Sequence, residues 1–166
     1  MSPFPPKRPP RERPRAIDKA TDLVTRREHS ARELRGKLAV RGYSAAEASG
    51  AISQLQSRDY QSDDRFAASL ARRRAGQGYG PRRIQAELKS HGLADAAIRE
   101  VLATLDEDWN TIAGAQLRKR YGTRAAADHE ERSARAGFLL RRGFDPATVR
   151  AVTRAEVDDP GQAFEG

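Results

Sequence analysis

The stretch IQAELKSHGLADAAIREVLATL (residues 84–105) decides the fold of this chain, because two other segments repeat its pattern. One is ELRGKLAVRGYSAAEASGAISQL (33–55) and the other is AGFLLRRGFDPATVRAV (136–152), and all three align without gaps around a glycine. The three glycines are Gly42, Gly92 and Gly143. They are 50 and 51 residues apart, and each follows a leucine by four residues and precedes an apolar residue. The chain is therefore predicted to contain three copies of one structural unit.

Each of these glycines is predicted to end a helix. Glycine adopts the left-handed conformation that terminates a helix, and the apolar residue after it packs back on that helix. The residues that follow are typical of the start of a second helix: Ser44, Ala94 with Asp95, and Asp145 with Pro146. Apolar residues recur three and four positions apart and strand-like runs are missing, so the pattern is helical throughout.

One further helix fits upstream of each pair, at about 16–28, 62–76 and 106–121. The sequence therefore predicts an all-α protein of three tandem three-helix repeats, forming an elongated, curved, right-handed-type helical solenoid. The predicted segments are a disordered Pro/Arg-rich tail (1–15), repeats at 16–60, 61–105 and 106–153, and an acidic C-terminal tail (154–166). A single nine-helix globule is the alternative, and the glycine register favours repeats.

Charge indicates an anionic partner. The formal net charge is +8, and the body of the chain carries most of it, since the short C-terminal segment is acidic. Clustered cations attract phosphate and displace condensed counterions. A GC-rich genome is another source of the arginine excess. There are no cysteines, which excludes disulfides and thiolate catalysis and agrees with a reducing cytosol. No apolar run reaches the roughly 20 residues of a membrane span.

Basic residues cluster beside equivalent turns of the repeats, where stacking would align them along one side. The predicted partner and DNA-binding residues are Arg72, Arg73, Arg74, Arg82, Arg83, Arg118, Lys119, Arg141 and Arg142. A solvated charged face is the alternative for any one cluster. Tyr79 and Tyr121 lie beside two clusters, where they either stack on bases or pack against a neighbouring helix.

No constellation of residues indicates catalysis, so the chain is predicted to be neither an enzyme nor dependent on a metal or cofactor. His29, His91 and His129 fall in different repeats without metal-ligand spacing and are expected to be solvated. Asp63 and Asp64 diverge by about 100° on a helix and suit its dipole. A helix–turn–helix within 64–93 has too long a turn, so repeat geometry explains that segment better.

Two blocks of sequence carry a family resemblance. The first is EHS-x-x-EL-x-x-KL-x-x-x-GY (28–43), and the second contains DD-x-RFA and GYGP-x-RI-x-x-EL (62–93). With DEDWNTIAGAQLRKRYG (106–122) and FLLRRGF (138–144), they resemble the RecX regulatory proteins over about 16–153. Arg41 and His91 stand where the family pattern has a lysine before the turn glycine.

The resemblance implies a modulator of the RecA recombinase that binds in the groove of the RecA–single-stranded DNA filament. It implies inhibition of ATP hydrolysis, strand exchange and co-protease activity, and hence a role in recombination, DNA repair and the SOS response. A cytoplasmic monomer with no membrane partner is expected, with contact to single-stranded DNA that is weak or made through the filament.

Overall fold

The computed structural model describes residues 12–158, with side chains as far as Arg154. Within those residues the regular structure is entirely helical, as predicted. The helices are α1 (Ala16–Val24), α2 (Ala31–Val40), α3 (Ala45–Ser57), α4 (Asp63–Gly76), α5 (Pro81–Ser90), α6 (Asp95–Thr104), α7 (Trp109–Tyr121), α8 (His129–Arg141) and α9 (Pro146–Asp158). They form three successive three-helix groups, so the predicted all-α class and repeat number are confirmed.

The repeat glycines end α2, α5 and α8 in the expected way. Gly42, Gly92 and Gly143 have φ of +82°, +83° and +89°. In the first repeat the Tyr43 amide then donates to the Leu38 carbonyl at 3.1 Å, which satisfies an acceptor at the helix end. The equivalent bonds of the other repeats run from Leu93 to Leu88 (3.5 Å) and from Phe144 to Leu139 (3.2 Å).

The chain divides into two compact units, and the first ends at Ser62. It contains α1–α3 around an apolar core that includes Ala20, Leu34, Leu38 and Ile52. Ser44 starts α3 with a capping box, in which its hydroxyl accepts from the amide of the third helical residue and that residue's carboxylate accepts in return. Local signals therefore set both ends of the α2–α3 turn.

The last residues of the predicted N-terminal tail, just before α1, are ordered and contact the first repeat. Arg13 stacks its guanidinium 3.7 Å from the Tyr43 ring centroid and donates to the Gly42 carbonyl at 2.9 Å. The Tyr43 hydroxyl donates to the Pro14 carbonyl at 2.6 Å. These contacts attach the end of the tail to the first repeat, and residues 1–11 lie outside the described part of the chain.

The second unit, from Asp63 onward, holds α4–α9. Phe66, Ile84 and Leu88 belong to one apolar cluster of this unit, while Leu117 and Phe144 belong to another. Two residues at the start of α7 pack against both clusters: Trp109 and Ile112. The second and third repeats therefore share packed side chains. Trp109 is partly buried and packs against both clusters.

Two predicted helix boundaries are wrong. Helix α1 ends at Val24 instead of 28, and α7 begins at Trp109 instead of 106. Asp106 has φ of +49°, a left-handed conformation that helix α7 cannot include, and the Asp108 carboxylate caps that helix instead. Helix α9 continues to Asp158, into the segment predicted as an acidic tail, and residues 159–166 lie outside the described range.

Candidate partner-binding surface

The turn between α4 and α5 meets the turn between α8 and α9. The Gly80 amide donates to the Arg142 carbonyl at 2.9 Å, and the Arg82 amide donates to the Gly143 carbonyl at 3.0 Å. Such close approach of two backbones requires glycine, because a Cβ on Gly80 would lie 2.4 Å from the Gly143 carbonyl carbon. We call this contact the repeat 2–3 junction.

Two of the predicted binding residues hold this junction together. Arg142 donates from Nη2 to the Gln77 carbonyl at 2.8 Å and from Nε to the Gly78 carbonyl at 2.9 Å. Arg82 donates from Nε to the Asp145 carboxylate at 2.6 Å. Both arginines therefore donate hydrogen bonds within the fold, which the sequence prediction did not anticipate.

Arg74 also has a partner within the chain. It binds Glu87 through two parallel hydrogen bonds, of 2.7 Å from Nε and 2.6 Å from Nη2. The hydrogen bonds from Arg74 hold the pKa of Glu87 below its usual range, and the same bonds raise the pKa of Arg74. A paired, half-buried arginine joins α4 to α5 and is poorly placed to exchange its partner for a phosphate.

The remaining predicted residues face solvent. Those exposed without an ion pair or side-chain hydrogen bond to the described residues are Arg72, Arg73, Arg83, Arg118, Lys119 and Arg141. Several lie in the last turn of α4, α7 or α8, where cations also offset the helix dipole. Among the nine predicted residues, these six therefore retain free cationic groups.

The tertiary structure adds an arrangement that the sequence did not reveal. Arginines and aromatic rings alternate across the repeat 2–3 junction. In order, the members are Arg83, Tyr79, Arg142, Phe138, Arg120 and Tyr121. Each guanidinium carbon lies 4.5–5.6 Å from the centroid of a neighbouring ring. We call this set the arginine–aromatic ladder.

The ladder settles how the two tyrosines are used within the chain. Tyr79 is flanked by two guanidiniums, and Tyr121 meets Phe138 edge to face with centroids 6.0 Å apart. Both tyrosines therefore pack against neighbouring side chains within the described chain, and base stacking stays a prediction. Arg120 was not among the predicted binding residues, since only its contact with Phe138, from another helix, distinguishes it from its neighbours.

The expectation that all three histidines are solvated is wrong for His29, which is 2% exposed. Its Nδ1 lies 2.9 Å from the Arg27 carbonyl, so Nδ1 must be the donor and Nε2 the acceptor. The Lys37 ammonium, 3.1 Å from Nε2, supplies the matching donor. The His29 carbonyl accepts from the buried Gln61 amide at 3.1 Å, so this histidine also anchors the segment after α3.

The surroundings of His29 disfavour its protonated form. Burial lowers its pKa from 6.5, against smaller opposing contributions from the Arg27 carbonyl and Glu33. For Glu33, burial opposes ionisation, but hydrogen bonds from Arg27 and Lys37 lower the pKa to about 2. The site therefore holds neutral His29 beside an ionised carboxylate and a lysine.

Stability of the first unit should fall as the pH drops below about 6.5. Because the folded pKa of His29 is depressed, the unfolded chain takes up the proton first, and the stabilisation present above pH 6.5 is lost on acidification. One proton gives a slope of at most about 1.4 kcal/mol per pH unit. Urea denaturation between pH 7 and 5 should show this slope in the wild type and a smaller one in His29→Gln. Equal slopes in both proteins would contradict the assignment.

Residues 12–158 contain no group of three or more His, Cys, Asp or Glu placed to hold a metal ion. Asp63 and Asp64 occupy the first turn of α4, as the dipole interpretation expects. Among the described residues, no helix combines the length and the apolar composition that crossing a membrane requires.

The fold and this surface define a class: a helical-repeat protein of three three-helix domains with free arginines and lysine at its helix ends. Three family models match it in order, described as the first (16–55), second (62–102) and third (106–153) three-helix domains of RecX. The chain belongs to the RecX family of regulatory proteins, which confirms the resemblance found in the sequence.

Relatives named as regulatory protein RecX support the assignment. The protein of Xanthomonas axonopodis pv. citri (strain 306) is 42% identical over 143 residues, covering 86% of this chain and 88% of the relative. That of Stenotrophomonas maltophilia (strain K279a) is 41% identical over 153 residues, covering 92% and 93%. The crystal structure of RecX from Lactobacillus salivarius shares the fold, with a TM-score of 0.71, 18% identity and coverage of 86% of this chain and 94% of that one.

Proposed function

We propose that this protein is a negative modulator of the RecA recombinase, which binds in the groove of the RecA–single-stranded DNA filament. Its action would inhibit ATP hydrolysis, strand exchange and co-protease activity. Membership of the RecX family across all three domains carries this proposal. A cytoplasmic monomer without enzymatic activity, acting in recombination, DNA repair and the SOS response, completes it.

The free cations support an electrostatic contact with the filament. Arg72, Arg73 and Arg83 in the second repeat are exposed and form no ion pair with a carboxylate of the described residues. In the third repeat the same holds for Arg118, Lys119 and Arg141. Guanidiniums bind carboxylate and phosphate through paired hydrogen bonds, so they suit both RecA and DNA. We assign Arg74, Arg82 and Arg142 to the fold and these six residues to the partner.

The proposal is tested with the DNA-dependent ATPase of the cognate RecA, on filaments preformed with saturating single-stranded DNA. Addition of this protein at sub-stoichiometric amounts should lower the rate of ATP hydrolysis, because one bound molecule would block a groove that several protomers share. Full activity at stoichiometric amounts would overturn the proposal.

A second candidate function is general nucleic-acid binding without contact to RecA, which the net charge of +8 favours. Such a protein would slow the ATPase only by competing for DNA. Excess single-stranded DNA would then restore the rate fully, whereas inhibition through the filament groove would persist. Binding to naked DNA with a steep salt dependence and no RecA-specific effect would favour this alternative.

A further inference from the structure

Three arginines of the arginine–aromatic ladder concentrate positive charge that no carboxylate of the described residues neutralises. A further guanidinium, that of Arg135, lies 4.9 Å from the Tyr121 ring centroid and is paired with Glu131. Arg83 and Arg142 lie 4.5 Å from the centroid of one ring, that of Tyr79. Arg142 and Arg120 share a second ring, that of Phe138, at 5.6 and 4.9 Å. Within the described residues, none of these three arginines forms an ion pair with a carboxylate. Repulsion among like charges opposes folding, and an anion bound at the ladder would relieve it.

The rings also hold the guanidiniums in place. A stacked guanidinium has lost rotamer freedom before any ligand arrives, so less entropy remains to be lost on binding. Arg83 and Arg120 are exposed, and stacking leaves the N–H groups at their edges available to phosphate. Arg142 donates hydrogen bonds to the Gln77 and Gly78 carbonyls. It therefore has a structural role, and Arg83 and Arg120 on either side of it are the residues available for binding.

A cleft opens beside one end of the ladder. It has a volume of about 500 Å³ and is lined by Arg74, Tyr79, Arg83, Ala86 and Glu87. Nucleobases stack on aromatic rings and on guanidinium planes without regard to sequence. Polyglutamate would use the charges but has no flat ring to stack in this cleft.

We propose that the arginine–aromatic ladder binds a single strand of nucleic acid, with backbone phosphates on Arg83 and Arg120 and a base in the cleft beside Tyr79. This inference deepens the proposed function and rests on it in part, since it names the second and third repeats as the part that contacts the strand. Bound phosphate would also offset the repulsion among the arginines and so stabilise the repeat 2–3 junction.

The test measures binding of a fluorescent oligothymidylate to the full chain, without RecA, by anisotropy over a range of salt concentrations. The double variant R83Q/R120Q should bind about tenfold more weakly at low salt. Its log–log salt dependence should be shallower by about 0.7 for each phosphate that the variant no longer neutralises. Its thermal midpoint should change little, because the loss of like-charge repulsion and the loss of the cation–π contacts with Tyr79, Phe138 and Tyr121 oppose each other. The oligonucleotide should raise the midpoint of the wild type more than that of the variant.

The matched control is R99Q/R150Q, which removes the same charge from exposed positions on α6 and α9 of the same unit. It should bind the oligonucleotide nearly as the wild type does. Wild-type affinity and salt dependence in R83Q/R120Q would overturn the proposal. If the double variant loses helicity by circular dichroism, the single variants R83Q and R120Q carry the same comparison.

Competitors identify the ligand chemistry. Unlabelled oligothymidylate should displace the probe at far lower charge concentration than either inorganic phosphate or polyglutamate. Equal displacement by polyglutamate would overturn the choice of a nucleic acid strand. Loss of oligonucleotide binding in R83Q/R120Q with no ATPase inhibition by the wild type would refute only the RecA proposal. If the wild type inhibits the RecA ATPase and R83Q/R120Q binds the oligonucleotide as tightly as the wild type does, only the ladder proposal is refuted.

Discussion

Replacing Gly143 by alanine is expected to lower the free energy of unfolding of the second unit by about 2–5 kcal/mol. Two effects add at this position. A residue with a Cβ is strained at φ of +89°, at a cost of about 1–2 kcal/mol. The new Cβ would also lie 2.5 Å from both the amide nitrogen and the Cβ of Arg83, and relief of that overlap costs about 1–3 kcal/mol.

The overlap must move backbone and not a flexible side chain. Arg83 lies in the first turn of α5, and the Arg82 amide beside it donates to the Gly143 carbonyl. Separation of the two turns would break that bond and the bond from Gly80 to Arg142. The variant should therefore lose protection at the amides of Gly80 and Arg82 in hydrogen exchange, in addition to global stability.

Gly42→Ala is the matched control, because Gly42 ends α2 with a similar φ of +82°. A Cβ there would meet only Arg13 Nη1, at 3.8 Å, which is an ordinary van der Waals contact. That variant should lose only the conformational contribution of about 1–2 kcal/mol. Chemical denaturation with hydrogen exchange of each unit separates the two variants. Equal losses would show that the repeat 2–3 junction does not depend on close backbone contact.

The charge reversal R72E/R73E is expected to weaken binding to the RecA filament about 100-fold, if the proposed function is correct. Each charge-assisted hydrogen bond contributes about 1.5 kcal/mol, and the variant removes two of them. Neither arginine forms an ion pair or a hydrogen bond with the described residues, so helicity should remain close to that of the wild type. Arg73 helps to lower the pKa of Glu87 through its charge, so R73E should cost a small part of the thermal stability. The concentration that halves RecA ATP hydrolysis measures the effect.

Arg74 is left out of this variant on structural grounds. A glutamate at that position would face Glu87 and break the α4–α5 pair, so any loss of function would be confounded with misfolding. The control R99E/R150E changes the net charge equally at exposed positions of the same unit. Inhibition by R72E/R73E as strong as that of the wild type would place the filament contact elsewhere on the chain.

Much of the fold could be predicted because its strongest signals are local. A glycine four residues after a leucine needs only its own backbone and one preceding turn to end a helix, and Gly42, Gly92 and Gly143 all do so. The predicted end of α1 was wrong because it depends on contacts that are not local. Residues 25–28 favour a helix by composition, but the buried His29 and its contacts decide the path of the chain there.

The binding surface was predictable only as a set of charges. Arginines in last helical turns can be recognised in the sequence, but their hydrogen-bond and ion-pair partners cannot. Arg82 meets Asp145 across 63 residues, and Arg142 meets Gly78 across 64. Composition and periodicity carry no information on such pairs, so predicted contact residues included three that hold the fold together.

The sequence alone therefore determined the three repeats, their turn glycines and the positive charge, because each depends on residues within a few turns of one another. Only the tertiary structure decided which arginines are free, which are paired and how arginines alternate with rings across the repeat 2–3 junction. Those outcomes depend on contacts between helices far apart in the chain, where burial and hydrogen-bond geometry select the partners.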